Sequence, residues 1–234
     1  MPVSYKSAMG INSAQNLTLD RAVILRGTRI ICRDLSFTLP AGGRLWLRGS
    51  NGSGKSTLLR ALAGFMPLTS GAICWGETKL QAGQSLSLQA HLPIWFHGHD
   101  TGLSPALTGR QNLHYSAALS GQDSTQILED DHFAISAFLD RPVRQLSAGQ
   151  TQRLALSRLS LSPPDALWLL DEPETGLDTL RRDRLFSLID SHCQKGGRVI
   201  LASHTAPPHL QNWSEMDISP DGQTASKTAG EMPA

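Results

Sequence analysis

The chain of 234 residues carries 21 Lys and Arg against 20 Asp and Glu, a formal charge of +1, so no global field recruits nucleic acid or an anionic lipid surface. Hydrophobic residues make up 40% and charged residues 18%, which excludes wholesale disorder and supplies the core of one large α/β domain or two small ones. The longest apolar runs, such as Ala166 to Leu170, fall far short of the roughly 20 residues that cross a bilayer, and no long apolar segment follows a basic start within the first 20 residues, which argues against both a membrane span and a secretory signal. Cys32, Cys74 and Cys193 lie far apart without CxxC spacing, which argues against a disulfide framework or a zinc knuckle and leaves them as small apolar residues.

In chain order, 1–15 is rich in small polar residues and reads as a loose arm. Segments 17–25 and 28–39 carry β-branched and apolar residues in patches that suit strands, and 44–47 is a short strand ending at glycine. The pattern then changes: Leu58, Leu59 and Leu62 stand at helical spacing over 55–63, and Gly64 is a natural stop. A glycine-bounded extended piece, 72–75, precedes a polar stretch and the apolar segment 92–96. Segments 108–119, 125–139 and 148–159 read as helices, an insert of roughly 60 residues in a chain that otherwise alternates strand and helix. After Pro163 and Pro164 the alternation resumes, with a buried strand at 166–170, a helix at 180–191 and another buried strand at 199–202. The tail 219–234 looks uncommitted.

Between the strand at 44–47 and the helix from Lys55 stands Gly49, Ser50, Asn51, Gly52, Ser53, Gly54, Lys55, Ser56, Thr57, which satisfies the phosphate-loop pattern GxxxxGK[ST] in a strand-loop-helix setting. Glycines let successive backbone N–H groups curl around phosphates, Lys55 adds a point charge, Ser56 offers a hydroxyl to Mg²⁺, and the helix dipole faces the same anion. A plain glycine-rich turn does not need Lys, Ser and Thr just inside a helix. Kinases, GTPases and ATPases all use such a loop, so the remaining motifs must choose among them.

The strand 166–170 delivers Asp171 and Glu172 at its C-terminal end, where open α/β sheets bind ligands. Asp171 suits Mg²⁺, through water, and Glu172 suits the base that orients an attacking water. Alone, the pair ahead of Pro173 could also open a surface turn. Leu146, Ser147, Ala148, Gly149 and Gln150 lie between the two phosphate motifs. Ser147 and Gln150 form a capping-box pattern, and a capped helix start with glycine in its first turn is also an anion site.

In this ordered set the chain resembles the ATP-binding-cassette family, whose signature LSGGQ appears here as LSAGQ. The resemblance covers nearly all of 17–218 and implies an α/β P-loop NTPase fold of the cassette type: a mixed-sheet core with an N-terminal antiparallel β part and a helical subdomain inserted at about 100–160. It assigns 16–218 to the ATPase domain, 1–15 to a flexible arm and 219–234 to a flexible tail. It implies a head-to-tail homodimer in which the Ser147, Ala148, Gly149, Gln150 segment closes on ATP held by the partner's phosphate loop. Asp178 matches the family's dimer contact, though it also suits the N-cap of the next helix. His204, after a buried strand, matches the histidine that touches the γ-phosphate, though a lone histidine there needs no such role.

Two departures stand out. Where the family stacks an aromatic residue on adenine, counting back from Asp34 and Leu35 places Arg26, whose guanidinium plane can also stack on a base. Where the family has a glutamine linking Mg²⁺ to the helical arm, counting back from Thr108 places His99. Imidazole can ligate a metal or orient water, and its ordinary titration range lies near neutrality. A haem or transition-metal site at His97 and His99 is a competing reading that lacks a further ligand cluster.

The segments Trp95 to His99, Asn112 to Tyr115, Gln145 to Gln150 and Ala166 to Pro173 look like the cytochrome c biogenesis branch of the family. That resemblance implies an ATPase with Mg²⁺ and no bound haem of its own, peripheral on the cytoplasmic face of the bacterial inner membrane. It also implies multispanning partners, CcmB and CcmC. Hydrolysis would drive haem export or release of the haem-loaded chaperone CcmE. A cassette ATPase serving a transporter of another solute would share every nucleotide residue. A soluble nucleotide-gated clamp would need a long coiled-coil insertion or two cassettes in one chain.

Overall fold

Strands β1 (Leu17–Arg26) and β2 (Arg29–Leu39) form a hairpin closed on Gly27 and Thr28, with Arg26 opposite Arg29. Leu17 and Leu19 face inward, a register shift follows, and Ala22 and Ile24 regain the same side. The computed structural model describes residues 15–81, 92–124, 127, 130–219 and 224–227. The expectation for 1–15 therefore lies outside the described residues except at Gln15.

β4 (Ser70–Trp75) and β5 (Thr78–Gln81) complete an antiparallel sheet in the order β2-β1-β4-β5. β5 falls in the stretch read as merely polar. It buries only Leu80, too little apolar signal to mark a strand.

The second sheet has the order β10-β9-β3-β8-β7-β6, from β3 (Arg44–Arg48), β6 (Ile94–His97), β7 (Leu167–Asp171), β8 (Arg198–Ala202), β9 (Ser214–Ile218) and β10 (Thr224–Lys227). All pairings are parallel except β9 with β10. Its central strands are apolar on both faces because both faces are covered. Leu45, Leu47, Leu167, Leu169, Ile200 and Ala202 pack toward the antiparallel sheet with α1 (Lys55–Leu62). Trp46, Trp168, Leu170, Val199 and Leu201 pack the other way, on α4 (Thr179–Gln194) and the helical arm.

The arm contains α2 (Gly109–Ser120), two 3-10 turns at Ser136–Phe138 and Val143–Gln145, and α3 (Ala148–Ser157), which tightens into a 3-10 turn at Arg158–Leu161. Of the helix expected over 125–139, Ile127 and Asp130 are helical, and the chain leaves α-helical geometry from Asp131 on. Asp131 and Ala134 have φ of 28° and 49°, and the Asp131 carboxylate accepts from Ile135 N at 2.7 Å and from the Ser136 hydroxyl at 2.6 Å. A side chain that takes backbone donors in this way competes with a helix. Ile127, Ile135 and Phe138 are buried at positions that one continuous helix would set on one face. Residues 125, 126, 128 and 129 lie outside the described residues.

The tail is also corrected in part. Thr224–Lys227 pairs antiparallel with β9, covering the N–H and C=O groups that an edge strand would leave open. The rest of 219–234, beyond Ser219 and this strand, lies outside the described residues. Among the described residues no helix is long and apolar enough to cross a membrane.

Candidate nucleotide site

β3, β7 and β8 end side by side, so the loops that leave them converge at the carboxyl edge of the sheet. The loop after β3 runs into α1, whose N-cap Gly54 has φ 119° and offers no side chain to the first-turn N–H groups. Two of the loop's glycines answer to the protein itself. A Cβ on Gly54 would stand 2.2 Å from Ile31 Cγ2, and one on Gly49 would stand 2.3 Å from Ile218 O. Gly52, by contrast, has open space around its missing Cβ.

Lys55 is 5% exposed, and its Nζ donates to Gly49 O at 2.7 Å and Ser50 O at 3.1 Å, curling the loop around its own ammonium. Burial pushes the Lys55 pKa down, and the carboxylates of Glu172 and Asp171 work against that shift. The lysine therefore belongs electrostatically to both phosphate motifs.

Asp171, the last residue of β7, is 3% exposed, and its Oδ2 is buried without a hydrogen-bond partner. A buried carboxylate oxygen left in that state costs free energy unless a cation or a bound water meets it. The Asp171 carboxylate and the Ser56 hydroxyl are the hard oxygen donors that Mg²⁺ takes. Glu172 has φ 49°, a left-handed conformation that costs about 1–3 kcal/mol for a residue of this kind. It is held there by its own N–H donating to Ala202 O at 2.8 Å and by Thr175 N donating to its carbonyl at 3.1 Å. The strain turns its carboxylate toward β8, where Oε1 lies 3.0 Å from His204 Nε2. Ser203 fixes the start of the His204 loop: its hydroxyl bonds the Glu174 carboxylate and accepts from Thr205 N at 3.0 Å.

These elements enclose a cleft of about 420 Å³ whose lining includes Arg26, Arg29, Lys55, Ser56, His99 and Glu172. Both residues placed by counting, Arg26 and His99, thus reach the phosphate-loop cleft. His97 and His99 do not act together. His99 is exposed in the cleft, whereas His97 is buried with its Nε2 3.0 Å from Gln152 Nε2. Among the described residues no group of three or more His, Cys, Asp or Glu side chains is placed to hold a metal.

The signature segment faces a different cleft of about 360 Å³, shared with Arg153, Gly176, Asp178 and Arg181. Ser147 caps α3: its hydroxyl accepts from Gln150 N at 3.2 Å, while Gln150 Oε1 accepts from Ser147 N at 2.9 Å. Ala148 opens the helix, and Gly149 packs toward Gly176 O. Asp178 caps α4, accepting from Arg181 N at 2.9 Å and pairing with Arg181 Nη1 at 2.8 Å. No residue lining this cleft lines the phosphate-loop cleft. A third cleft, of about 450 Å³, lies between them and is lined by Ala148 and Gly149 together with His99, Asp171 and Glu172.

Residues 32–175, running from β2 past Glu172, match the family described as ABC transporter. The chain belongs to the ABC transporter family. Within it, the chain is 40% identical over 190 residues to "Cytochrome c biogenesis ATP-binding export protein CcmA 2" of Cupriavidus metallidurans, covering 79% of this chain and 87% of that one. It is 39% identical over 191 residues to the CcmA protein of Vibrio cholerae, covering 80% and 90%. Among solved structures, the dimeric ABC transporter cassette MJ0796 shares the fold at a TM-score of 0.74 and 20% identity, over 90% of this chain and 98% of that one. The cassette MJ1267 in its ADP conformation does so at a TM-score of 0.70 and 20% identity, over 93% and 92%. The protein is an ABC ATPase with the α/β cassette fold.

Sequence reasoning missed two residues at this ATPase site. Arg29 donates from Nη2 to Gly52 O at 3.2 Å and lines the cleft. Its only local signal was its position opposite Arg26 across a glycine turn. Gln152, on α3, donates from Nε2 to Pro173 O at 3.0 Å as well as contacting His97. One amide thereby joins the helical arm, the strand that leads to His99 and the residue after Glu172. Nothing local in the sequence marks it.

Proposed function

We infer that the chain is the ATP-hydrolysing subunit of a membrane ABC complex in cytochrome c maturation, where hydrolysis drives haem export or release of the haem-loaded chaperone CcmE. The pathway rests on relatives named as cytochrome c biogenesis ATP-binding export proteins at about 40% identity over most of both chains. The chemistry rests on one observation, the convergence of Lys55, Asp171, Glu172 and His204 at one sheet edge.

The open first turn of α1, the loop N–H groups and Lys55 bind the triphosphate. Asp171 and Ser56 would hold Mg²⁺, which when bound offsets phosphate charge, and the partnerless Asp171 Oδ2 supports that assignment. Glu172 orients the attacking water and takes its proton, with His204 steadying the carboxylate and touching the γ-phosphate. Oxygen of that water bonds the γ-phosphorus as the β–γ bridge breaks, giving ADP and phosphate. His99 lies where it can orient water at the same end of the cleft, and Arg26 offers a plane to the base.

Two copies pair head to tail, so that Ser147, Ala148, Gly149 and Gln150 of one chain close on the nucleotide of the other, with Asp178 at the contact. Ser147 and Gln150 line a cleft that no phosphate-loop residue of the same chain lines, which supports this. The pair docks on the integral membrane subunits CcmB and CcmC at the cytoplasmic face of the inner membrane. Mild-detergent affinity purification from native membranes, followed by mass spectrometry, tests the pathway. Recovery of CcmB and CcmC is expected. Recovery of an unrelated permease instead would make this the ATPase of another solute's transporter and leave the chemistry standing.

A further inference from the structure

The turn that follows β7 carries a third carboxylate that the chemistry above does not use. Glu174 stands between Glu172 and Asp178, and its side chain crosses to the loop after β8, where it accepts from the Ser203 hydroxyl. Its other oxygen, Oε2, is buried and has no hydrogen-bond partner among the described residues. An orphaned buried carboxylate oxygen costs free energy, so packing alone would favour a smaller or apolar residue here.

What the carboxylate grips is the residue before His204. Ser203 is 1% exposed and is held at three points: its hydroxyl by Glu174, the same oxygen by Thr205 N at 3.0 Å, and its carbonyl by the Trp46 indole, whose Nε1 donates at 3.1 Å. The His204 ring is itself exposed and meets Glu172 Oε1 at 3.0 Å, so its aim is set by the backbone that Ser203 anchors. On the other loop, Thr175 N donates to Glu172 O at 3.1 Å and Leu177 N to Glu174 O at 3.0 Å, which makes 172–177 a single hydrogen-bonded turn. Glu174 fastens the turn that presents Glu172 to the loop that presents His204.

We propose that Glu174 is a positioning residue for hydrolysis: through Ser203 it holds His204 against Glu172, so that histidine and carboxylate meet the γ-phosphate as one unit. This deepens the nucleotide reading above and rests on it.

The test is steady-state MgATP hydrolysis by the full chain, with MgATP affinity measured beside it. Glu174→Leu keeps the bulk and removes the acceptor, Glu174→Gln keeps an acceptor for Ser203, and Ser203→Ala removes the donor. Glu174→Leu and Ser203→Ala are each expected to lower kcat about tenfold with MgATP affinity kept, and the two together to lose no more than either alone. Glu174→Gln should retain most of the turnover. In a His204→Ala chain, itself slowed, adding Glu174→Leu should cost nothing further. Full turnover in both Glu174→Leu and Ser203→Ala overturns the proposal. So does a loss that appears at full size on top of His204→Ala, one that falls on MgATP affinity instead, or a Gln variant as slow as the Leu one. If Glu174→Leu does not fold, Ser203→Ala, alone and on top of His204→Ala, decides by the same outcomes. An unmodified chain that fails to bind MgATP instead overturns the nucleotide-site reading itself.

Discussion

Two helices in this molecule begin at a turn built for an anion, and their first turns are completed differently. At α1 the cap is Gly54, which has no side chain, so the first-turn N–H groups are left to a ligand. At α3 a full capping box, Ser147 with Gln150, already serves two of those donors from within the chain. The first start is competent to bind phosphate alone. The second is a finished surface whose Ser147 hydroxyl accepts from Gln150 N and keeps its own hydrogen to donate. Ser147 and Gln150 line a cleft that no phosphate-loop residue lines, so on the proposed pairing the first start is the resident half of the ATPase site and the second is the half offered to a second chain.

The largest effect should come from the resident half. Glu172→Gln is expected to lower turnover at least about a hundredfold while nucleotide affinity is kept, measured by phosphate release beside equilibrium binding. Rapid turnover in that variant would remove Glu172 from the role of base. Lys55→Ala should instead weaken binding of MgATP itself by an order of magnitude or so, since it removes the charge that curls the loop. Normal affinity there would break the phosphate-loop assignment.

Gln152→Leu tests whether the arm and the carboxylate strand are held together by that amide. It strands Pro173 O and the buried Nε2 of His97, so unfolding in urea should show a loss of about 1–3 kcal/mol. Turnover should fall more than nucleotide affinity does.

Protonation probes the same packing. Burial drives His97 and His192 down to about 4 each, His97 against the cationic Arg158 and His192 stacked on Trp168 at 3.8 Å. The folded chain thus binds fewer protons than the unfolded chain between pH 4 and the ordinary histidine value near 6.5. Stability from these two groups is full above about pH 6.5 and is lost as pH falls toward 4, on the order of 2 kcal/mol per histidine at pH 5. Denaturant midpoints at pH 7 and pH 5 check this, and His192→Phe should flatten the slope. The smallest effect is at the offered half: Ser147→Ala should cost the isolated chain about 1 kcal/mol and Ser147→Gly only a few tenths, with MgATP affinity unchanged in both.

The placement of the phosphate loop, of Asp171 and Glu172 and of the capped helix start at Ser147 is legible because each is dictated by residues within one short segment and its flanking strand or helix. His204 was legible only through family resemblance, and the structure gives it a partner, Glu172, that no local pattern names. Arg29 and Gln152 escaped because their roles exist only across the fold, on a hairpin tip and at the join of arm and core. The helix expected over 125–139 stops before Asp131, whose carboxylate binds backbone donors locally, although the spacing of Ile127, Ile135 and Phe138 suits one helical face. The edge strand β10 escaped for the opposite reason: Thr224, Ala225, Ser226 and Lys227 carry no apolar alternation, and its pairing is backbone work.

The division into a resident and an offered half is tested most directly by sedimentation of Glu172→Gln with and without MgATP. A shift from monomer to dimer on adding ATP, abolished by Lys55→Ala in the same chain, is the expected result. A chain that binds MgATP at full affinity yet stays monomeric at every concentration tested would contradict it.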